Sequence, residues 1–313
     1  KFQIMKRRKF NTLLASASSG MILTSFNYHN QKNLKKNKIS LAQWSLNKMI
    51  KVDKTLDPID FAKKSSELGF DAVEYVSTLY RPTLEKMSIK KLTQKLKSKS
   101  KKHEVLNLLI MVDDEGNLSS TSMQETKNAI EKHKKWIEMA SLLECHSVRV
   151  NLEGEKDLEK WKENSVRGLS LLCDFARNYG INIIVENHGG NSSNGSELAS
   201  VIRSVGMDNC GTLPDFGNFC IKRLNDSLYD GPCKIEYDKY QGMRDLMPFA
   251  KAVSAKSYDF DQNGNETTID FKKMIEIVNE FNYEGYLGIE YEGDNLSEIK
   301  GIDLTKKLIN KFI

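Results

Sequence analysis

The stretch Ile181-Asn182-Ile183-Ile184-Val185-Glu186 decides the fold of this chain, because it is a short β-branched run that follows a long helical pattern and a glycine. Such a run is typical of a strand that is buried on both faces. It ends in a carboxylate, which is costly to bury unless it meets a cation or a dense hydrogen-bond network.

Two later apolar runs also end in carboxylates, namely Gly211-Thr212-Leu213-Pro214-Asp215 and Tyr286-Leu287-Gly288-Ile289-Glu290. Side chains at the ends of successive strands converge when the strands are parallel and close into a barrel. The carboxylates of Glu186, Asp215 and Glu290 therefore predict a shared metal site.

The strand–helix pattern repeats eight times between residues 38 and 313. The predicted strands span residues 39–44, 70–75, 105–112, 146–152, 181–186, 209–215, 250–257 and 286–290. The predicted helices span residues 57–68, 88–102, 122–143, 158–179, 194–205, 240–248, 270–281 and 304–313. Alternation implies parallel strands with right-handed crossovers, and eight units favour closure. We predict an α/β fold, a single (β/α)8 TIM barrel over residues 38–313.

Composition limits the classes of partner. The 313 residues are 39% hydrophobic and 28% charged, with a net charge of +5, which fits a globular protein in water. The lysine-rich run at residues 90–102 carries no interleaved aromatic side chains, so it predicts a solvated helix face and no nucleic-acid partner. No segment is long and apolar enough for stable membrane insertion.

The cysteine and histidine counts argue against disulfide frameworks, zinc knuckles and histidine-rich metal sites. Five cysteines form no CxxC motif and are odd in number, so we expect neither a disulfide framework nor a zinc knuckle, and most of them should be small core or loop residues. Only five histidines are present, which disfavours histidine-rich metal enzymes.

The N-terminal segment, residues 1–35, resembles a twin-arginine export signal. Lys6-Arg7-Arg8-Lys9-Phe10 precedes a weakly apolar stretch rich in serine, alanine and glycine. This order predicts an exported or periplasmic protein; the alternative is a disordered basic tail on a cytoplasmic one.

Strand ends supply the candidate site residues. Period two places His188 on the face of Glu186, and Glu292 on the face of Glu290. Carboxylate oxygens favour Mn²⁺, Mg²⁺ or a similar ion. The remaining candidates are assigned to substrate binding: Arg149, Lys256 and Glu74, together with His188. The alternatives are rim ion pairs for single carboxylates, a supporting contact of His188 with Glu186, and pairing of Arg149 with Glu74 or Asp215.

Such a site suits proton abstraction next to a carbonyl of a polyol. The metal would polarise the carbonyl and hold an enediolate, while Glu186 and Glu290 act as base and acid on opposite faces of the substrate.

Four motifs resemble the xylose-isomerase-like barrel superfamily, which includes sugar (phosphate) isomerases and epimerases, keto-inositol dehydratases and endonuclease IV. They are Val-Glu-Asn-His-Gly-Gly (185–190), Pro-Asp-Phe-Gly-Asn (214–218), Ala-Lys-Ser-Tyr-Asp-Phe-Asp (255–261) and Gly-Ile-Glu-Tyr-Glu-Gly (288–293). The resemblance implies a metal held by Glu186, Asp215 and Glu290, plus a histidine from strand seven. This sequence has Ser254 at the histidine position, so water, Lys256 or another group has to fill the gap.

The resemblance implies a divalent-metal-dependent sugar isomerase or epimerase with a carbohydrate substrate. The alternatives are a lyase or dehydratase on a keto-sugar or keto-inositol, and a non-catalytic sugar-binding barrel. A nuclease like endonuclease IV is disfavoured by the scarcity of histidine. Residues 216–238 are expected to form a long irregular connection after Asp215. The loop over residues 216–240 is a candidate lid, a contact in a homo-oligomer, or a variable surface insertion.

Overall fold

The computed structural model describes residues 38–313, so the predicted export signal lies outside the described residues. Ten strands occur in the described part of the chain: β1 Lys38–Ala42, β2 Ala72–Val76, β3 Leu106–Met111, β4 Ser147–Val150, β5 Asn182–Glu186, β6 Cys210–Leu213, β7 Cys220–Arg223, β8 Cys233–Glu236, β9 Val253–Ser257 and β10 Tyr286–Tyr291.

Helices connect and surround these strands. They are α1 Asn47–Lys51, α2 Phe61–Glu67, α3 Arg81–Leu84, α4 Ile89–Lys102, α5 Met123–Leu142, α6 Leu158–Arg177, α7 Gly195–Val205, α8 Lys239–Leu246, α9 Phe271–Glu280 and α10 Glu298–Phe312. Short 3-10 helices span Gln43–Leu46, Pro58–Asp60, Ser77–Tyr80, Gly190–Ser193 and Met247–Phe249. Among the described residues, none of the helices combines the length and apolarity needed to cross a membrane.

Side-chain caps fix where most of the long helices begin. In each case the residue before the helix accepts a hydrogen bond from the third backbone N–H of the helix, which would otherwise lack a partner. These caps are Ser88, Ser122, Asp157, Asn194, Asp238, Asp270 and Ser297. The last of them corrects the predicted start of the final helix from residue 304 to Glu298.

Eight strands form one parallel sheet in the order β6-β5-β4-β3-β2-β1-β10-β9, as the sequence predicted. The two ends of this sheet, β6 and β9, meet through isolated parallel bridges that pair Thr212 with Ala250 and Asp215 with Ser254. Main-chain hydrogen bonds support this seam, with Phe216 donating to the Ser254 carbonyl at 3.1 Å and Ser254 donating to the Pro214 carbonyl at 2.9 Å. The sheet is therefore a closed (β/α)8 barrel.

Successive side chains of each barrel strand point to opposite faces of the sheet. In β10, Leu287 and Ile289 are fully buried in the apolar core, while Glu290, two positions after Gly288, belongs to the alternate face of the strand. In β5, Ile183 and Val185 are likewise buried apolar residues and Glu186 has the alternate parity. Carboxylates are thereby directed to the interior of the barrel at the carboxyl ends of its strands.

Two predictions about residues 216–238 were wrong. The segment is not wholly irregular, because β7 and β8 pair as an antiparallel hairpin. It also carries a disulfide between Cys220 and Cys233, with Cα atoms 5.8 Å apart. An odd cysteine count excludes complete pairing but not a single bridge, and this bridge depends on strand pairing that the spacing alone does not reveal. The other three cysteines, Cys145, Cys173 and Cys210, are free and buried, as expected of small core residues.

Candidate active site

The three predicted carboxylates converge. One oxygen from each of Glu186, Asp215 and Glu290 lies within 4.8 Å of the other two, and all three residues are buried. Glu186 is the last residue of β5, Asp215 follows β6, and Glu290 lies near the end of β10. Barrel closure between β6 and β9 is what brings them together.

Ser254 occupies the seam between two of these carboxylates. Its hydroxyl oxygen lies 2.7 Å from Asp215 Oδ2 and 3.0 Å from Glu290 Oε2. A hydroxyl has one proton, so it can donate to only one of these carboxylates at a time. Asp215 is held further by the backbone N–H groups of Gly217 and Asn218, which donate to Oδ1 at 2.8 and 2.9 Å.

Arg149 joins β4 to the carboxylates. Its Nη1 lies 2.5 Å from Asp113 Oδ1, and its Nε lies 2.8 Å from Glu186 Oε2. Asn151 also donates to Asp113 Oδ1, at 2.9 Å. The alternative pairing of Arg149 with Glu74 or Asp215 is therefore wrong, because the side chain extends towards β3 and β5.

Lys256 is a buried ammonium at the edge of the carboxylate cluster. Its Nζ lies 3.1 Å from Glu292 Oε2, 3.6 Å from Glu290 Oε2 and 3.9 Å from Asp215 Oδ2. Lysine at this position balances part of the cluster's negative charge and lines the pocket.

The cluster remains rich in negative charge. Two cations, Arg149 and Lys256, contact five carboxylates: Asp113, Glu186, Asp215, Glu290 and Glu292. Burial raises the pKa of Asp215 to about 6 and that of Glu290 to about 8, although Lys256 opposes both shifts. Burial also raises the pKa of Glu186 against the influence of Arg149.

These observations fit a divalent cation. Converging buried oxygens with elevated pKa values are the donor set that a hard cation would stabilise, and such a cation offsets the excess negative charge. Glu186, Asp215 and Glu290 are the residues that would hold it, and Ser254 is the adjacent hydroxyl.

His188 lies above this cluster and lines the pocket. The hydrogen bond to Glu186 Oε1 comes from Asn218 Nδ2 at 3.0 Å, so His188 does not fill that supporting role. Burial lowers the pKa of His188 to about 4, and the charges of Arg149 and Lys256 act in the same direction. Within the described part of the chain its Nδ1 has no hydrogen-bond partner. The imidazole is therefore neutral, and its Nδ1 is buried without a partner among the described residues.

Glu74 is in a different place from the other candidates. Its Oε1 accepts a hydrogen bond from Ser40 at 2.6 Å, and a Cβ atom on Gly288 would lie only 2.4 Å from that oxygen. Glu74 thus fills barrel interior that Gly288 leaves free, and it is absent from the residues that line the pocket. Burial raises the pKa of Glu74 to about 7, opposed by the Ser40 hydrogen bond.

The pocket over the cluster has a volume of about 730 Å³. Among the lining residues that sequence reasoning did not assign to the site are Asp113, which pairs with Arg149, and Glu153, Tyr229 and Asp230 on the loops around the mouth. Asp113 was detectable as an acid two residues after the end of β3, equivalent in position to Asp215 after β6. The loop residues had no comparable signal.

Solved structures with the same fold cover nearly the whole barrel. A D-psicose 3-epimerase from Clostridium cellulolyticum H10, solved with D-tagatose, superposes with a TM-score of 0.65 at 14% identity, over 88% of this chain and 99% of that one. The 3-keto-D-glucoside 4-epimerase from E. coli gives 0.65 at 14% identity, over 88% and 100%. The IolI protein with a bound zinc atom gives 0.65 at 15% identity, over 88% and 99%. At these identities the likeness establishes the fold.

A curated relative matches a short part of the sequence. The C-glycoside deglycosidase alpha subunit of Arthrobacter globiformis is 42% identical over 66 residues, which is 20% of this chain and 19% of that protein. The chain thus spans about a fifth of that relative's length.

The family model for the xylose isomerase-like TIM barrel matches residues 62–311, which is most of the described barrel. Together with the closed sheet of eight parallel strands, this match places the chain in that family: the protein belongs to the xylose isomerase-like TIM barrels.

Proposed function

We propose that this protein is a divalent-metal-dependent sugar isomerase or epimerase that removes and returns a proton on a carbon next to a carbonyl. The observation that carries the proposal is the convergence of Glu186, Asp215 and Glu290, buried and within 4.8 Å of one another at the carboxyl end of the barrel. The sugar epimerases among the structural neighbours support a carbohydrate substrate.

The three carboxylates would hold Mn²⁺, Mg²⁺ or a similar oxygen-seeking ion. When bound, such an ion acts as a Lewis acid that polarises a substrate carbonyl or hydroxyl.

Glu186 and Glu290 would each carry out one of the two proton transfers, the first as base and the second as acid. The carboxylate of Glu186 faces the Arg149 guanidinium and accepts a hydrogen bond from Asn218, and both contacts stabilise the ionised form, which suits a base. Glu290 on β10 would return the proton as the acid; burial raises its pKa to about 8 in the metal-free protein, so it takes up a proton more readily than an ordinary glutamate. The roles exchange in the reverse direction.

Other pocket residues orient the substrate. His188 lines the pocket as a neutral imidazole and would contact a substrate hydroxyl. Arg149 and Lys256 line the pocket, but both are already paired with carboxylates. This pairing favours an uncharged sugar over a sugar phosphate, because neither cation is free to neutralise a dianion.

Export fits the same proposal. The twin-arginine-like segment supports an extracytoplasmic location, and so does the Cys220–Cys233 disulfide, because such bonds persist in oxidising compartments. Sugar phosphates are mainly cytoplasmic, which again favours an unphosphorylated substrate.

A lyase on an oxidised sugar is the second candidate, and the short match to a C-glycoside deglycosidase subunit favours it. A lyase would use the same base to remove the proton but would expel a leaving group from the neighbouring carbon in place of reprotonation. The third candidate is a non-catalytic sugar-binding barrel. Ser254 favours it, because this serine stands where the resemblance implies a metal-binding histidine.

The deciding experiment is incubation with Mn²⁺ and a panel of ketoses and 3-keto-glycosides in D₂O, followed by NMR and product analysis. Isomerase or epimerase activity predicts deuterium on the carbon next to the carbonyl and a product that is an isomer of the substrate apart from this isotope. An unsaturated or cleaved product would identify the lyase instead. The absence of deuterium across the whole panel would contradict both enzymes and leave the binding barrel.

A further inference from the structure

The pocket has an outer part that the carboxylate cluster does not reach. Its volume of about 730 Å³ is in the upper part of the ~300–1,000 Å³ range of pockets that enclose drug-sized ligands, which is more than one sugar ring requires. The inner part is lined by the strand ends that carry Arg149, Lys256 and Glu290, and the outer part by residues of the β7–β8 hairpin that include Tyr229.

Tyr229 spans the mouth of the pocket between two loops. Its ring centroid lies 4.7 Å from that of His188, which follows β5, and its hydroxyl is hydrogen-bonded to Glu153, which follows β4. The side chain keeps 43% of its surface exposed while it lines the pocket. Part of the ring is therefore available to a ligand, although both ends of the side chain are held.

Backbone contacts hold the hairpin in this position. Gly189 adopts a φ of +82°, and a Cβ atom there would lie 2.9 Å from the Leu228 carbonyl oxygen, so a glycine is needed for this close approach. Arg223 ties the tip together by donating from Nε to the Leu228 carbonyl and from Nη1 to the Gly231 carbonyl.

The root of the hairpin is fixed as well. Phe219 is fully buried against Gly242 of α8, where a Cβ atom would lie 2.1 Å from its ring. The Cys220–Cys233 disulfide joins β7 to β8 directly after this anchor. The tip that carries Tyr229 is thus tethered at both of its ends, which reduces the entropy lost when a ligand binds beneath it.

We propose that the hairpin forms an outer subsite in which Tyr229 packs against the aglycone or second ring of a glycoside, while the reacting sugar lies over the carboxylates. This proposal rests on the proposed function in one respect, which is that the reacting sugar ring lies over the carboxylates. Aromatic side chains supply rigid apolar area with a polar tip, a combination that suits the face of a ring at a half-open site.

The test is calorimetric binding of matched phenyl and methyl glycosides of several hexoses and pentoses to the full chain. The intact protein should bind phenyl glycosides roughly three- to tenfold more tightly than methyl glycosides, the gain expected of one aromatic contact. Tyr229→Ala should remove this preference, so that phenyl and methyl glycosides bind with equal affinity. Tyr229→Phe, the matched control, should retain it, because the ring remains and only the contact with Glu153 is lost.

A second variant tests the tether. The double substitution Cys220→Ser and Cys233→Ser should weaken binding of phenyl glycosides but not of methyl glycosides, while the barrel keeps its thermal transition. The outer subsite would be overturned if Tyr229→Ala kept the same preference for phenyl over methyl glycosides as the intact protein. It would also be overturned if no phenyl glycoside bound the intact protein more tightly than the matching methyl glycoside. Binding that depends on Tyr229 in a protein without turnover would uphold the subsite and reject the proposed function, so the two failures are distinguishable.

Discussion

Ser254 and Asp215 face each other across the seam of the barrel, with the serine hydroxyl 2.7 Å from the aspartate Oδ2 and the two residues paired by an isolated parallel bridge. The same hydroxyl lies 3.0 Å from Glu290 Oε2. The Ser254 side chain therefore projects between two of the three candidate metal ligands, and a substitution at Ser254 changes what these two carboxylates contact.

We expect Ser254→His to raise the affinity for Mn²⁺ by at least about tenfold, because an imidazole would add a fourth protein ligand. Ser254→Ala is the matched control, since it removes the hydroxyl without adding a ligand, and it should not bind more tightly than the natural protein. Competition with a fluorescent chelator measures both affinities, and circular dichroism checks that the buried histidine is accommodated. A folded His variant that binds no better than the Ala variant would show that this position does not reach the ion.

Glu186→Gln and Glu290→Gln should each lower turnover roughly 10²- to 10⁴-fold, because each removes a group that transfers a proton. The amide keeps the shape of the carboxylate but is a weaker metal ligand, so sugar binding should persist in both variants at saturating Mn²⁺. The measurement pairs steady-state rates with deuterium incorporation from D₂O. Glu276→Gln on the exposed face of α9 is the matched control and should retain full activity. Retention of turnover in Glu290→Gln would remove it from the reaction.

The stability of the metal-free protein should fall as pH rises from about 4.5 to about 7, in part because of Glu74. Burial raises the pKa of this residue to about 7 in the folded protein, above its ordinary value of 4.5. In this window the folded state retains a proton that the unfolded state has released, so the free energy of unfolding decreases with pH, by about 3 kcal/mol for this group.

Glu74→Gln should make that dependence shallower, because the variant has no proton to lose at this position. Urea unfolding at a series of pH values in the presence of a chelator measures the effect. The comparison isolates Glu74 from Asp215 and Glu290, whose raised pKa values act in the same direction in both proteins. Parallel curves for the two proteins would show that Glu74 is ionised when folded.

Substitution of Arg7 and Arg8 by lysine should retain the precursor in the cytoplasm of a bacterial host that exports twin-arginine substrates. Thiol alkylation followed by a gel-shift assay provides a second readout. The retained protein should label at all five cysteines, whereas the exported protein should label at three after unfolding, because Cys220 and Cys233 are bridged. Export that is unaffected by the substitutions would reject the signal.

The barrel was predictable because each unit carries its own local signals. β-Branched runs such as Ile183–Val185 identify buried strands, and caps such as Asn194 and Asp270 identify helix starts. The convergence of Glu186, Asp215 and Glu290 followed from strand ends, because closure brings equivalent positions together.

Contacts that depend on tertiary geometry were not predictable. The four residues of β8 are all exposed, so the hairpin has no hydrophobic alternation to reveal it. The pairing of Arg149 with Asp113 depends on which way a long side chain extends from β4, and its sequence neighbours do not determine this. The exclusion of Glu74 from the pocket depends on Gly288, a residue 214 positions later that leaves room for it.

The seam between β6 and β9 closes the barrel with fewer pairings than a full ladder. Each of the other six strands of the sheet pairs with a neighbouring strand on both sides, whereas these two are joined to each other by isolated bridges at Thr212 and Asp215. A barrel avoids exposed strand edges only while it is closed, and in this chain the closing contacts include candidate ligands themselves. Because Asp215 belongs to this seam and Ser254 contacts both Asp215 and Glu290, a cation held by the carboxylates would join β6 to β9 and β10 and so add to the contacts that close the barrel.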